Sequence, residues 1–273
     1  MKKPMDKGRA LDPGTRVAAQ GIGWMLSDIM VMTWRNLLRY ARMPQLLVFS
    51  TIQPVMFLLL FAFVFGGAIA TPGGSYINYL IPGIIVQTVV FGAMQTGIGL
   101  ADDLSKGLID RFRSLPMARS AVLAGRTISD LIRNIFVVLL MAGVGFLIGF
   151  RFYEGIGAAS AAFAITILFG FAFSWISAAI GMMARNVETA QVAGFIWVFP
   201  LVFASSIFVP VDTMPMWLQA FARISPITVT VNGVRALVLG LPVGNNIWYA
   251  LAWIAGILAV FMPVAIIQYR KVA

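Results

Sequence analysis

The stretch LLVFSTIQPVMFLLLFAFVFGGAIA, residues 46–70, contains no charged residue. Fourteen of its first twenty residues are Leu, Ile, Val or Phe. These are worth roughly 4–8 kcal/mol of membrane insertion before the polar Gln53 and the helix-breaking Pro54 are set against them. At about 1.5 Å per residue the run crosses a hydrocarbon core of about 30 Å with some tilt. Five further runs of similar character follow, at about 80–101, 127–150, 157–183, 192–209 and 248–267. The expected fold is therefore an all-α membrane protein with six transmembrane helices across residues 44–273.

The composition agrees. Hydrophobic residues make up 60% of the 273, charged residues only 11%, and the mean hydropathy is +0.91, far from an ordinary soluble domain. Cysteine and histidine are both absent. Disulfides, thiolate nucleophiles, imidazole metal ligands and Ser/His/Asp catalysis are thereby excluded, and neither a bound metal nor a catalytic residue is expected. A formal charge of +10 could point to nucleic acid, but the basic residues fall in gaps between apolar runs, so no nucleic-acid partner is expected.

Those gaps set the orientation. Counted alternately, one side collects seventeen Lys and Arg and the other only Arg151, Arg223 and Arg235. Under the positive-inside rule both termini lie in the cytoplasm, and six crossings satisfy that parity.

Outside the spans, residues 1–16 read as a flexible polar cytoplasmic tail with no compact apolar core of a cleavable signal peptide. Residues 17–43 read as an amphipathic interface helix, with Ile22, Leu26, Met30, Thr33, Leu37 and Ala41 on one face and Asp28, Arg35, Arg39 and Arg42 on the other. A helix packed on protein is the alternative, and Trp24, Val31 and Met32 blur the two faces. Between the fifth and last spans, residues 213–239 predict two short helices dipping into the outer leaflet. The apolar part from Pro226 to Leu239 is only about 21 Å long as a helix, too short to cross.

KGLIDRFRSLPMARS, residues 106–120, interrupts two apolar runs. Leu108, Ile109, Phe112 and Leu115 follow helical spacing while Asp110, Arg111 and Arg113 point elsewhere. Asp102 and Asp103 suit a helix start ahead of it, and Pro116 suits its end. A docking helix and a loop lying on lipid headgroups both fit this pattern.

Three stretches together carry a resemblance: YLIPGIIVQ (79–87), GLIDRFRSLPMARSAVLAGRTISD (107–130) and the long run from ARNVETAQ to ALVLG (184–240). The chain resembles the type-2 ABC-transporter permease family across roughly residues 30–270, and within it the daunorubicin-resistance branch of drug and lipid exporters. The resemblance implies a permease subunit for a hydrophobic or amphiphilic compound, in a bacterial plasma membrane. It further implies that Gly107, Leu108, Asp110, Arg111, Phe112, Arg113 and Pro116, within a segment spanning 102–126, couple the chain to an ABC ATPase subunit, two copies per transporter. No GxxxxGK[ST] loop is present, and the lysines are Lys2, Lys3, Lys7, Lys106 and Lys271. ATP and Mg are thus expected on the partner chain, with no cofactor on this one. A second permease subunit is expected to complete the pathway. A polysaccharide exporter of the same family and an ion-coupled secondary transporter are the alternatives.

Polar residues inside the spans are few. Gln53, Gln87, Gln95, Thr96, Ser205 and Ser206 are candidates for the pathway of an amphiphilic substrate, although each amide equally suits an interhelical hydrogen bond. No titratable group is expected deep within a span, which counts against ion coupling. Asp130 and Arg133 are expected to pair with each other at the entry of the third span. Gly145 and Gly149 have the spacing of a helix-dimer motif, which routine packing also explains.

Overall fold

The structure, a computed structural model, describes residues 22–42, 44–69, 71, 75–108 and 119–272. Every regular element among them is helical. In chain order they are α1 (Ile22–Arg42), α2 (Pro44–Val64), α3 (Tyr76–Ser105), α4 (Arg119–Leu147), α5 (Ile156–Met183), α6 (Val187–Phe203), α7 (Met216–Ile224), α8 (Pro226–Leu239) and α9 (Asn246–Val272), with a 3-10 turn at Val211–Thr213. Four of them, α3, α4, α5 and α9, are long and apolar enough to cross a bilayer, while the apolar stretches of α2, α6 and α8 are shorter.

Helix α3 is the axis of the bundle, packed against α5 on one side and flanked by α4, α6, α2 and α8. The close contact with α5 follows from glycine. A Cβ on Gly97 would run into the backbone of Ser177, and one on Gly181 into the backbone of Gly97. Two bare helix surfaces therefore meet, as small residues allow where lipid offers no hydrophobic drive to association. Large apolar side chains fill the rest. Leu80, Ile81, Ile84, Phe169, Phe173, Val198, Ile207 and Ile227 form the main core. A second cluster, built from Met32, Leu100, Val122, Leu123, Trp175, Met182 and Tyr269, ties α1, α3, α4, α5 and α9 together at one end. This end also carries Arg270 and Lys271 in the last turn of α9 and is called the basic end below.

Three sequence expectations change. Helix α1 has an apolar face turned outward through Trp24, Met30, Val31 and Trp34, while Met32, Thr33 and Asn36 are buried and α1 lies along α4. Of the stripe read from periodicity, Leu26 and Met30 are exposed while Thr33 is buried. Asp102 and Asp103 do not open a following helix; they belong to the last turn of α3. Carboxylates there oppose the helix dipole, and Arg35, Arg39 and Lys106 offset them. Finally, α4 ends at Leu147. Gly149 lies in the turn beyond it with φ +104°, and Gly145 packs against Ile81 of the same chain. The two glycines do not form one helix stripe.

The two short helices expected across 213–239 are present as α7 and α8. Trp217, Phe221 and Ile224 of α7 are exposed, whereas α8 buries Ile227, Val231, Val234 and Val238 against α3, α5 and α9. Gly240 ends α8 in the left-handed conformation, φ +68°, which only glycine adopts without strain.

Candidate functional site: a cavity floored by a charged helix junction

The most connected side chain at the basic end is Asp130, 1% exposed. Its Oδ2 accepts from the Thr96 hydroxyl of α3 at 2.6 Å and from Arg126 Nε of α4 at 3.2 Å, and its Oδ1 accepts from the Tyr40 hydroxyl of α1 at 2.6 Å. One carboxylate thus joins three helices. Burial, and then the Asp130 charge, push the Tyr40 phenol above its ordinary range, so it stays a neutral donor.

The expected Asp130–Arg133 pair does not form. Arg126, one turn before Asp130, takes the carboxylate, and Arg133 Nη2 donates instead to the Gly92 carbonyl at 2.5 Å and to Asn134 Oδ1 at 3.2 Å. The reason lies on α3. Gly92 and Gly99 are seven residues apart, as are Arg133 and Arg126 on the antiparallel α4. A Cβ on Gly99 would collide with the Arg126 guanidinium, and one on Gly92 with Asn134. Each glycine makes room for polar groups of α4 against the α3 backbone, and Arg126 Nη2 reaches the Gln95 carbonyl at 3.1 Å. These matched spacings were present in the sequence but meaningless until α3 and α4 were known to be partners. Asp130 lies in the first half of α4, at the entry of the third span where the sequence reading put it, and is buried there.

Beside this junction, Arg39 Nη2 and Lys106 Nζ each lie 2.8 Å from the Asp102 carboxylate, and Arg35 Nη2 lies 3.5 Å from Asp103. The end of α3 is thereby fastened to α1. Gly107, φ +63°, and Leu108 follow directly. Asp110, Arg111, Phe112, Arg113 and Pro116 lie outside the described residues.

Above the junction is a cavity of about 750 Å³ between α1, α2, α3, α4 and α6. Its floor is polar: Asn36, Arg39, Tyr40, Asp102, Lys106, Arg126 and Arg133. Its upper walls are apolar, with Met56, Phe57, Leu60, Phe91 and Phe195, and four glutamines lie along it: Gln53, Gln87, Gln95 and Gln191. Three of the six candidate pathway residues, Gln53, Gln87 and Gln95, therefore border one space, with Thr96 just behind its wall on Asp130. Gln191, Arg126 and Arg133 were missed as site residues. Pro54 and Pro82 sit within α2 and α3, each removing a backbone donor from its helix.

Ser205 and Ser206 lie elsewhere, at the end away from the junction. Ser205 Oγ donates to the Val202 carbonyl at 2.5 Å, and Ser206 Oγ to Asn232 Oδ1 at 2.9 Å. The Ser206 carbonyl accepts from Arg235 Nη2 at 2.9 Å and from the Tyr79 hydroxyl at 3.0 Å. Arg235 also donates to the Tyr79 carbonyl and to Asn232, and its guanidinium lies 3.6 Å over the Tyr79 ring. Read from sequence only as an orienting charge, Arg235 is 6% exposed and clamps α8 to α3. Among the described residues no group of three or more Asp and Glu could hold a metal ion.

The site is thus an amphiphilic cavity over a charged helix junction, and comparison with known proteins places the chain in a family. The chain is 35% identical over 246 residues to a daunorubicin resistance ABC transporter permease protein of Streptomyces coeruleorubidus, covering 90% of this chain and 87% of that one. It is 25% identical to a probable doxorubicin resistance ABC transporter permease protein of Mycobacterium tuberculosis, covering 95% and 93%. A putative transport permease of Pyropia yezoensis is 27% identical, covering 78% and 74%. Residues 27–239 match the family model described as ABC-2 type transporter, and this multi-pass membrane protein belongs to that family.

Proposed function

We propose that the chain is the permease subunit of an ATP-driven exporter for a hydrophobic or amphiphilic compound, drug or lipid-like, in a bacterial plasma membrane. It crosses six times, through α2, α3, α4, α5, α6 and α9, with the basic end and both termini in the cytoplasm. The tail expected at residues 1–16 lies outside the described residues, α1 is the interface helix with its Trp24 and Trp34 face on lipid, and α7 and α8 sit in the outer leaflet. At about 31 Å, α2 just matches the hydrocarbon core; α6, at about 25 Å, crosses with the help of the turn that follows it.

One observation carries the reading: the cavity and the start of the 106–120 stretch share the same charged junction. Asp102 and Lys106 line the cavity floor, and Lys106 immediately precedes Gly107. A push on the coupling residues Gly107, Leu108, Asp110, Arg111, Phe112, Arg113 and Pro116 by an ABC ATPase would reach α1 through Arg39 and the cavity floor through Asp102. Two ATPase copies, carrying ATP and Mg, and a second permease subunit complete the transporter, shifting it between inward and outward packings. Asp130 does not favour the ion-coupled alternative, since both its carboxylate oxygens are occupied by Arg126, Thr96 and Tyr40.

Co-expression with its neighbouring genes tests this. An ATPase chain should co-purify and should be lost with Phe112→Ala, together with ATP-dependent export at normal expression. Export unchanged in Phe112→Ala, or no ATPase partner at all, would overturn the reading.

A further inference from the structure

Three helices bring the same pair of residue types to the cavity. Gln53 and Phe57 of α2, Gln87 and Phe91 of α3, and Gln191 and Phe195 of α6 each stand one helical turn apart, and all six border the space. The three amides differ in burial. Gln53 and Gln191 are exposed, whereas Gln87 is 2% exposed. Along α3, Gln87 stands about 22 Å from Asp102 of the charged floor, toward the apolar end of the cavity.

Gln87 has no partner of its own there. Its Oε1 is buried, and its side chain makes no hydrogen bond among the described residues. The interhelical bond that would explain a glutamine inside a bundle is therefore not made. A buried acceptor left without a donor is destabilising, and native proteins keep few of them. Asn36 of α1 repeats the arrangement at the floor: it is 4% exposed, it borders the cavity, and its Oδ1 is buried without a donor. Both unpaired atoms are acceptors, so the groups they lack are O–H or N–H donors. Residues that weaken the bundle and border a cavity are placed to be satisfied by what enters it.

We propose that Gln87 and Asn36 set the specificity of the cavity by reading donors. Gln87 Oε1 accepts from a hydroxyl or amide N–H carried on the apolar body of the substrate, and Asn36 Oδ1 accepts a second donor near the floor. Amphiphiles of the same shape whose polar groups only accept hydrogen bonds are poor ligands. The proposal rests on the reading of this cavity as the substrate site and deepens it by naming the group the substrate must carry.

The test is equilibrium binding to the full chain in zwitterionic nanodiscs. The probes are two neutral pyrenyl-hexyl compounds, one a primary alcohol and the other its methyl ether. Empty nanodiscs give the lipid partitioning of each, which is divided out. Wild type should prefer the alcohol by about five-fold or more, the low end of the cost of leaving a buried acceptor unpaired. Gln87→Met keeps the length of the side chain and removes the acceptor, and should bring the ratio toward parity. Its melting temperature without probe should be no lower than that of wild type, because no bond is lost; a structural amide would show a clear drop. Parity in wild type would overturn the proposal whether or not the variant folds. So would a wild-type ratio retained in Gln87→Met, or a lowered melting temperature for that variant. Donor preference without any co-purifying ATPase would leave the site standing and remove the exporter, whereas a docked ATPase with no donor preference would remove only this proposal.

Discussion

Tyr40 of α1 and Asp130 of α4 meet at 2.6 Å, so the helix that carries the outward-facing tryptophans is bonded to a carboxylate buried in the bundle. Losing this bond should loosen α1 without collapsing the fold. Tyr40→Phe is expected to cost about 1.5–3 kcal/mol, the range for a hydrogen bond to a charged group. Thermal unfolding of the purified variant in detergent measures it. The sign with pH is also set. An unfolded tyrosine ionises at about pH 10, while folded Tyr40 is held above that value by burial and by Asp130. Its contribution is therefore complete below pH 10 and is lost as pH rises through the folded value. The stability difference between wild type and Tyr40→Phe should shrink from pH 10 upward; a difference that grows there would contradict this account.

Asp130→Asn should be more damaging, because it strands the Arg126 guanidinium, which is 7% exposed. About 3–5 kcal/mol is expected from breaking one side of a buried pair. Adding Arg126→Gln should recover part of that loss, and a double-mutant cycle read by denaturation should return a coupling energy well above the few tenths of a kcal/mol typical of independent sites.

Glycines should differ sharply by position. Gly97→Ala sets a methyl against the Ser177 backbone, where no flexible side chain can yield, and should abolish a monodisperse peak in size-exclusion chromatography. Gly143→Ala, with nothing within 4 Å of the added carbon, should stay within about 1 kcal/mol of wild type. If both behave alike, the close approach of α3 and α5 is wrong.

Arg235→Lys should behave as a severe substitution. A lysine cannot reach the carbonyls of Tyr79 and Ser206 and the Asn232 amide from one planar group. A loss of about 2–4 kcal/mol is expected, against about 1 kcal/mol for Tyr79→Phe, which removes only the 3.0 Å bond to Ser206. Parallel melting curves of the two variants check the order.

Much of this protein was legible in its residues taken in order. Long uncharged runs can satisfy their backbone polar groups inside lipid only as helices, so membrane class and helical architecture followed from residues 46–70 and their counterparts. The absence of His and Cys removed whole classes of chemistry. The short helices across 213–239 were visible because a 14-residue helix cannot span a bilayer. Tertiary structure alone decided which polar residues belong together. Gln53, Gln87 and Gln95 border one cavity while Ser205 and Ser206 bond at the far end, although all five looked alike as polar residues in apolar runs. Asp130 chose Arg126 over Arg133, and Asp102 joined α1 and did not begin a new helix, because partners on neighbouring helices outweighed neighbours in sequence. Hydrophobic patterning is a property of one segment and its solvent. A buried charge is settled by whatever donor reaches it across a helix interface, and here that reach depended on the missing side chains of Gly92 and Gly99.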